Sequence, residues 1–476
     1  MTSAVPLDHF RHEHDLLGDR EIPASAYWGI HSLRAKENFP ITGTTIGTQA
    51  DLVKALACVK HATARANRDL GILSQEKCAA IVQACEEVMN GALHDQFIVD
   101  VIQGGAGTST NMNANEVIAN RALEILGHQK GQYNILHPIQ DVNASQSTND
   151  VYPTALRITT CFAVERLLRA INHLRLAFEA KAIEFDDVLK MGRTQLQDAV
   201  PMTLGQEFRT YGVMLGEDES HLAQVVELMH EVNLGATAIG TGINTDPDYS
   251  PLAVRYLAEV TGLPLTPAPN MVEATQDTGD FVQVSGVLKR VATKLSKVCN
   301  DLRLLSSGPQ SGLWEINLPE RAAGSSIMPG KVNPIIPEVV NQIAFEVVGN
   351  DMAITMASEG GQLQLNAFEP VIAWSLAKSI AHLEAGCRTL ADNCVVGITA
   401  NREHLAAAVA RSAGLATALN PVLGYEIATR IARNAMKTGK PVRELVRELG
   451  LLDEETLESV LRPEVLTRPY RYIKKD

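Results

Sequence analysis

The sequence has few aromatic residues, no excess of positive charge and no long apolar run. Phe, Trp and Tyr make up 5% of the 476 residues, so the core must be aliphatic, as in helix bundles. Lys+Arg 42 against Asp+Glu 55 give a formal net charge of -13, which argues against nucleic acid or an anionic membrane as a partner. The sequence contains no stretch of about 18 apolar residues, so no membrane-spanning helix is expected. Because no basic, apolar leader opens the chain, we expect a cytoplasmic protein.

The cysteines and histidines offer no obvious metal or disulfide framework. The seven cysteines form no C-x-x-C pair and are scattered, mostly among apolar residues, which is typical of buried free thiols in a reducing compartment. His9, His12 and His14 crowd the N-terminal segment without matching ligands nearby. We therefore predict a solvated tail there and no metal site.

Apolar side chains recur at three- and four-residue steps in three long segments, which predicts one buried stripe along each of three long helices. The stripes are Val164, Leu167, Ile171, Leu174 and Phe178; Leu204, Phe208, Tyr211, Leu215, Leu222, Val225 and Met229; and Val284, Leu288, Val291, Leu295, Val298, Leu302 and Leu305. Asp218 interrupts the second stripe, and we expect it to be partly exposed. Asn149 or Asp150 is a candidate N-cap for the first helix.

The organisation of the chain follows from these helical segments. Helical patterns resume at 337–358 and 370–393, composition shifts after Gly397, and no strand–helix alternation occurs. The sequence therefore predicts an all-α fold in three parts, 1–142, 143–397 and 398–476. A bundle of this length buries more than one face, which also favours an oligomer.

Four polar loops interrupt the helical patterns. They are 104–113 with Thr108; 145–150 with Ser147, Thr148 and Asn149; 192–201 with Thr194 and Gln195; and 324–334 with Ser325, Ser326, Lys331 and Asn333. In the first three, helix capping is the alternative interpretation, because Ser, Thr and Asn are preferred caps. The fourth suits a carboxylate or phosphate, since donors surround one lysine. It is not a nucleotide P-loop, because Val332 follows that lysine and Ser325 stands where the first glycine is required.

The fourth loop, GSSIMPGKVNP, resembles the signature GSSxMPxKxNP of the aspartase/fumarase superfamily. The segments GGAGTSTNMNANE, QSTND, KMGRTQLQDAVPMTLGQE, NLGATAIGTGINT and GQLQLNAFEPV are also similar, in order, to the aspartate ammonia-lyase branch. The resemblance implies a central five-helix bundle and a homotetramer with a twenty-helix core. Each active site would be shared by three subunits. The implied reaction is reversible elimination of ammonia from L-aspartate to give fumarate.

The same resemblance implies a role for each motif residue. Ser325 would be the base that removes the β-proton, and Lys331 would help to stabilise its oxyanion. The implied binding residues are Thr108, Ser147, Thr148 and Ser326 for the β-carboxylate, Lys331 and Asn333 for the α-carboxylate, and Asn149 and Thr194 for the amino group. Glu338 resembles the acid that orients position 195. No organic cofactor is implied, whereas some relatives are activated by Mg²⁺, a property that these motifs do not reveal.

Gln195 departs from part of the family pattern, because fumarases and some aspartases have histidine there. Glutamine cannot titrate and so cannot be a general acid. Hydroxide needs a delivered proton to leave, whereas the ammonium group of aspartate does not. Gln195 therefore favours deamination over dehydration.

Two alternatives remain open from the sequence. One is a fumarate hydratase acting on malate. The other is an inactive structural relative, because members of this superfamily have been recruited as lens crystallins. The presence of both Ser325 and Lys331 argues against the inactive relative. Argininosuccinate and adenylosuccinate lyases share the signature loop but differ in the other motifs.

Overall fold

The computed structural model describes residues 10–471, most of which are helical. Its α-helices are α1 (Ile30–Asn38), α2 (Ala50–Asp69), α3 (Gln75–Met89), α4 (Thr108–Ile125), α5 (Thr148–Glu184), α6 (Leu204–Val226), α7 (Tyr249–Thr261), α8 (Met271–Ala274), α9 (Gly279–Leu305), α10 (Ile335–Glu359), α11 (Glu369–Asn393), α12 (Arg402–Arg411), α13 (Asn420–Leu423), α14 (Tyr425–Thr438), α15 (Val442–Glu448), α16 (Glu454–Val460) and α17 (Pro463–Thr467). The prediction of an all-α fold is confirmed. None of these helices is long and apolar enough to cross a membrane.

Eight short strands pair two by two and add only small ribbons to the helices. They are β1 (Phe10–Asp15), β2 (Gly18–Pro23), β3 (Leu189–Thr194), β4 (Gln197–Thr203), β5 (Glu231–Val232), β6 (Thr266–Pro267), β7 (Ile316–Asn317) and β8 (Thr399–Ala400). The pairs β1–β2, β3–β4 and β7–β8 are antiparallel, and β5–β6 is parallel.

The described chain forms two compact units, each assembled from three segments. Unit 1 includes residues up to 168 together with 220–290 and 345–383, and unit 2 comprises 169–219, 291–344 and the residues from 384 onward. The five longest helices, α5, α6, α9, α10 and α11, each contribute residues to both units. The three-part division at 142 and 397 stays a prediction.

Each unit has its own apolar core. In unit 1, α2, α3, α4, α7 and the beginning of α5 bury a cluster that includes Leu56, Ile81 and Val117. In unit 2, the C-terminal helices α12 and α14–α16 bury a second cluster around Ile431 and Leu457. The apolar stripes predicted from the sequence are buried throughout.

Three local predictions were wrong. His12 and His14 lie on strand β1 rather than in an irregular tail, although both are exposed, and His9 falls outside the described residues. The segment expected to be a loop up to Asn113 turns helical at Thr108. Asp218 is fully buried rather than partly exposed, because Lys294 from α9 pairs with it at 3.1 Å.

All seven cysteines are buried and free, as the sequence predicted.

Candidate active site

The QSTND loop of unit 1 ends in a capping box that starts helix α5. Ser147 precedes the helix, and its Oγ accepts a hydrogen bond from the Asn149 amide at 3.2 Å. In return, the Asp150 carboxylate accepts from the Ser147 amide at 3.1 Å. This reciprocal pairing satisfies two amides that a helix start leaves without partners. The N-cap is therefore Ser147, and the prediction of Asn149 or Asp150 was wrong.

Asp150 connects this loop to the NLGATAIG segment. Its other carboxylate oxygen accepts from the amides of Gly235 at 3.2 Å and Thr237 at 2.9 Å. The side chain is fully buried, and burial raises the pKa of Asp150 to about 7. Asn149 adds a second connection, because its Nδ2 donates to the Ala238 carbonyl at 2.8 Å. The two motifs are therefore fixed against each other.

Thr108 lies beside the same loop, at the first turn of α4. Gly107 before it has a φ of +87°, and a Cβ there would lie 2.4 Å from Cγ of the Tyr152 ring on α5, so only glycine fits. Further along α4, Asn111 Nδ2 donates to Thr148 Oγ1 at 3.0 Å. Unit 1 thus brings together the starts of α4 and α5, which carry the four binding residues predicted there: Thr108, Ser147, Thr148 and Asn149.

Thr194 and Gln195 lie at an exposed hairpin tip in unit 2. Strands β3 and β4 pair Thr194 with Gln197, which leaves Gln195 and Leu196 as a two-residue turn. Both have positive φ, 53° and 62°, as a type I′ turn requires but as residues other than Gly and Asn rarely adopt. The polar composition of 192–201 predicts a loop, whereas the segment forms a hairpin.

A buried ion cluster supports the base of this hairpin. Lys190 on β3 is almost fully buried and pairs with Glu315 at 2.6 Å and with Glu207. Glu315 also accepts from Arg193, the residue directly before Thr194. The cluster fixes the strand ends that hold the tip.

The signature loop of unit 2 makes the Ser325 oxygen a hydrogen-bond acceptor. Ser325 Oγ accepts from the main-chain amides of Ile327 at 3.2 Å and Met328 at 2.9 Å. The loop lines a cavity of about 480 Å³ together with Glu320 and Arg321. Two amide dipoles directed at one hydroxyl oxygen are an arrangement that stabilises negative charge on it.

The two ends of the signature loop are held close together. Asn333 Nδ2 donates to the Gly324 carbonyl at 2.7 Å. A Cβ at Gly324 would lie only 1.6 Å from the Lys331 carbonyl oxygen, so the chain can cross itself there only with glycine. Ser326 and Lys331 are exposed on this loop, and Glu338 follows in the first turn of α10.

Two polar residues that support the QSTND loop belong to none of the predicted motifs. They are Lys60, which is buried, and Asn143, which is half-buried, and Lys60 Nζ donates to Asn143 Oδ1 at 2.9 Å. The available signal was a lysine in the middle of the apolar helix α2. Among residues 10–471, no group of three or more His, Cys, Asp or Glu side chains is arranged to hold a metal ion.

Comparisons with known proteins place this geometry in a family. A family model described as Lyase matches residues 18–349, and one described as Fumarase C C-terminus matches 415–468. The chain is 60% identical to an aspartate ammonia-lyase of Pseudomonas fluorescens, over 97% of this chain and 96% of that one. It is 54% identical to the aspartate ammonia-lyase of Escherichia coli strain K12, over 97% of each.

Solved structures agree with the fold. A fumarate lyase:delta crystallin from Brucella melitensis superposes with a TM-score of 0.95 at 53% identity, covering 97% of this chain and 100% of that one. A class II fumarase from Schistosoma mansoni gives 0.91 at 35% identity, covering 96% and 98%. The chain is therefore a lyase of the aspartase/fumarase superfamily and belongs to its aspartate ammonia-lyase family, as the motifs predicted.

Proposed function

We propose that this lyase reversibly eliminates ammonia from L-aspartate to give fumarate, with Ser325 as the base. The observation that carries the proposal is that the Ser325 oxygen accepts hydrogen bonds from two main-chain amides. The same loop also exposes Lys331. The choice of substrate is supported by relatives called aspartate ammonia-lyase at 54–60% identity, against 35% for the class II fumarase.

The chemistry begins at C3 of aspartate, whose hydrogen is weakly acidic. The Ser325 alkoxide takes the proton, and the electron pair of the broken C–H bond moves into the β-carboxylate to give a dianionic aci form. Collapse of this form makes the C2–C3 double bond, and the amino group leaves as ammonia with the C–N pair. Because the substrate amine is already protonated at neutral pH, no acid at position 195 is needed, and Gln195 suffices.

The remaining site residues would hold the two carboxylates and the amine. Thr108, Ser147, Thr148 and Ser326 would donate to the β-carboxylate, whose hydrogen bonds strengthen as its charge grows. Lys331 and Asn333 would hold the α-carboxylate. Asn149, Thr194 and Gln195 would contact the amino group, with Glu338 orienting Gln195.

We further propose that the site is assembled from three chains of a homotetramer. Its support is an exposed apolar stripe in unit 1, where Phe345, Val348, Met352 and Met356 lie at helical spacing along α10. Phe345 is 67% exposed and Met352 63%, which is unusual for a surface helix without a partner. The seven free thiols fit a reducing compartment, which favours the cytoplasm.

The test is a direct comparison of substrates. Fumarate absorbance is followed after the protein is mixed with L-aspartate or with L-malate at equal concentration. We expect kcat/KM for aspartate to exceed that for malate by at least about 100-fold, which is the scale of discrimination between two substrates of nearly equal shape. Turnover of malate alone would assign the protein to the hydratases, and no turnover of either would favour the inactive relative.

A further inference from the structure

Lys60 is a buried cation that the proposed mechanism does not use. It lies on α2 in unit 1 with no exposed surface, and its Nζ donates to Asn143 Oδ1 at 2.9 Å and Gln146 Oε1 at 2.8 Å. Both acceptors are neutral amides, which is unusual, because buried lysines are normally paired with a carboxylate. Burial lowers the pKa of Lys60 to about 7, and the nearby Asp150 opposes that change.

The ammonium group fixes the direction of every hydrogen bond around it. A protonated lysine amine can only donate, so the atoms that face it must be amide oxygens. Asn143 Oδ1, held in that orientation, also accepts from Asn111 Nδ2 at 3.1 Å and Asn115 Nδ2 at 3.2 Å. Asn111 is thereby prevented from turning its own oxygen toward Asn143.

The fixed orientation of the Asn111 amide in turn sets the hydrogen-bond direction at Thr148, a residue of the candidate site. The NH₂ group of Asn111 that faces Asn143 also donates to Thr148 Oγ1 at 3.0 Å. A threonine hydroxyl has one hydrogen, and an oxygen that accepts from Asn111 keeps that hydrogen for another acceptor. The chain from Lys60 through Asn143 and Asn111 therefore leaves Thr148 able to donate.

We propose that Lys60 is a positioning residue: through Asn143 and Asn111 it keeps the Thr148 hydroxyl hydrogen available to the substrate β-carboxylate. This inference rests on the proposed function of Thr148. Gln146, the second acceptor of Lys60, also donates to the Val142 and Ala144 carbonyls at 3.0 and 2.9 Å. Lys60 thus holds the shape of the loop as well as the donor direction.

The test is a double-mutant cycle between Lys60→Met and Thr148→Val. Methionine keeps the unbranched apolar stem of lysine as far as Cε but has no donor, and valine removes the hydroxyl. Lys60→Met should lower kcat by about 10- to 100-fold, as expected when a buried hydrogen-bond partner is lost. KM should change by less than about threefold, because the bond to the β-carboxylate strengthens mainly as charge develops.

In the Thr148→Val background, the same Lys60→Met change should lower kcat by less than about threefold, because the group through which it acts is already gone. The control is Lys181→Met. Lys181 is another buried lysine, which pairs with Glu184 and donates to the Ile398 carbonyl, and its loss should leave kcat within about threefold of the parent. The full Lys60→Met effect in both backgrounds would show general damage and overturn the proposal.

A second variant protects the test if Lys60→Met fails to fold. Asn111→Asp presents only oxygens to Thr148, so the hydroxyl hydrogen should turn toward position 111. It should lower kcat in the parent and have little effect in Thr148→Val, and equal losses in both would again refute the inference. The cycle is run with whichever of L-aspartate or L-malate the parent turns over, so an error in the substrate would be seen separately in the parent.

Discussion

Replacing Ser325 by alanine should remove nearly all turnover while leaving the fold intact. Ser325 is partly exposed, and the two amides that donate to its oxygen belong to exposed residues, Ile327 and Met328. Water can therefore take the place of the lost oxygen, and the free energy of unfolding should change by less than about 0.5 kcal/mol.

The expected loss of rate follows from the hydrogen bonds to the Ser325 oxygen. A hydrogen bond to a charged group contributes about 1.5–3 kcal/mol, against about 1 kcal/mol for a neutral pair. Two amides therefore favour the alkoxide over the hydroxyl by roughly 1–4 kcal/mol. With the base gone, proton transfer to a positioned group is lost altogether, and kcat should fall by about 10²- to 10⁴-fold.

The assay is fumarate absorbance, combined with the binding of succinate, which has both carboxylates but no leaving group. Ser325→Ala should bind succinate within about threefold of the parent, because it keeps the groups that hold the carboxylates. Ser326→Ala is the matched control in the same loop. It removes one donor to the β-carboxylate and should lower kcat/KM by only about tenfold.

The two variants together separate chemistry from loop damage. Equal losses in Ser325→Ala and Ser326→Ala would mean that the loop, and not the base, was disturbed. Activity of Ser325→Ala within tenfold of the parent would show that another group removes the C3 hydrogen.

Three further outcomes are expected. Gln195→His should raise malate turnover relative to aspartate by at least about tenfold, because histidine can protonate a departing hydroxide; an unchanged ratio in the absorbance assay would contradict the role given to Gln195. Met352→Lys should dissociate the assembly and abolish activity, which sedimentation velocity checks, and an intact active assembly would show that this stripe is not an interface. Burial raises the pKa of Glu369 to about 8. Between about pH 4.5 and 8 the folded chain therefore holds a proton on Glu369 that the unfolded chain has lost, and the contribution of this group to the free energy of unfolding falls as pH rises. Glu369→Gln should remove this pH dependence, which amounts to on the order of 4 kcal/mol in the free energy of unfolding between pH 5 and 9. Parallel profiles of urea midpoint against pH for parent and variant would refute it.

Periodicity predicted the long helices correctly because a stripe needs only the spacing of apolar residues. The same rule gave the wrong answer for Asp218, since nothing in its own segment shows that Lys294, on a different helix, pairs with it. The sequence of one helix does not show which charge on another helix will face it.

Polar composition was misleading at the beginning of α4. Thr110 and Asn113 suggest a loop, yet they lie inside the helix because each has a partner outside it. Thr110 Oγ1 donates to Gln103 at 3.0 Å, and Asn113 Nδ2 donates to the Gln96 carbonyl at 3.0 Å. Tertiary hydrogen bonds here override the preference of these residues for turns.

The candidate site could be predicted from motifs only as far as its exposed and partly exposed residues. Ser325, Lys331 and the QSTND residues belong to the segments that resemble motifs of the superfamily. Lys60 belongs to no such pattern, and its importance appears only when the structure places its ammonium against Asn143 and Gln146. Supporting residues of this kind depend on the fold for their contacts, and their spacing in sequence does not reveal them.

The buried cysteines allow local unfolding of the chain to be measured by thiol labelling. Four of the thiols, Cys58, Cys78, Cys85 and Cys161, lie in unit 1, and the other three, Cys299, Cys387 and Cys394, lie in unit 2. A thiol reagent can reach them only when the surrounding helices separate, so the rate of labelling measures local unfolding. Mass spectrometry of the labelled peptides would then show which unit opens first as denaturant is added.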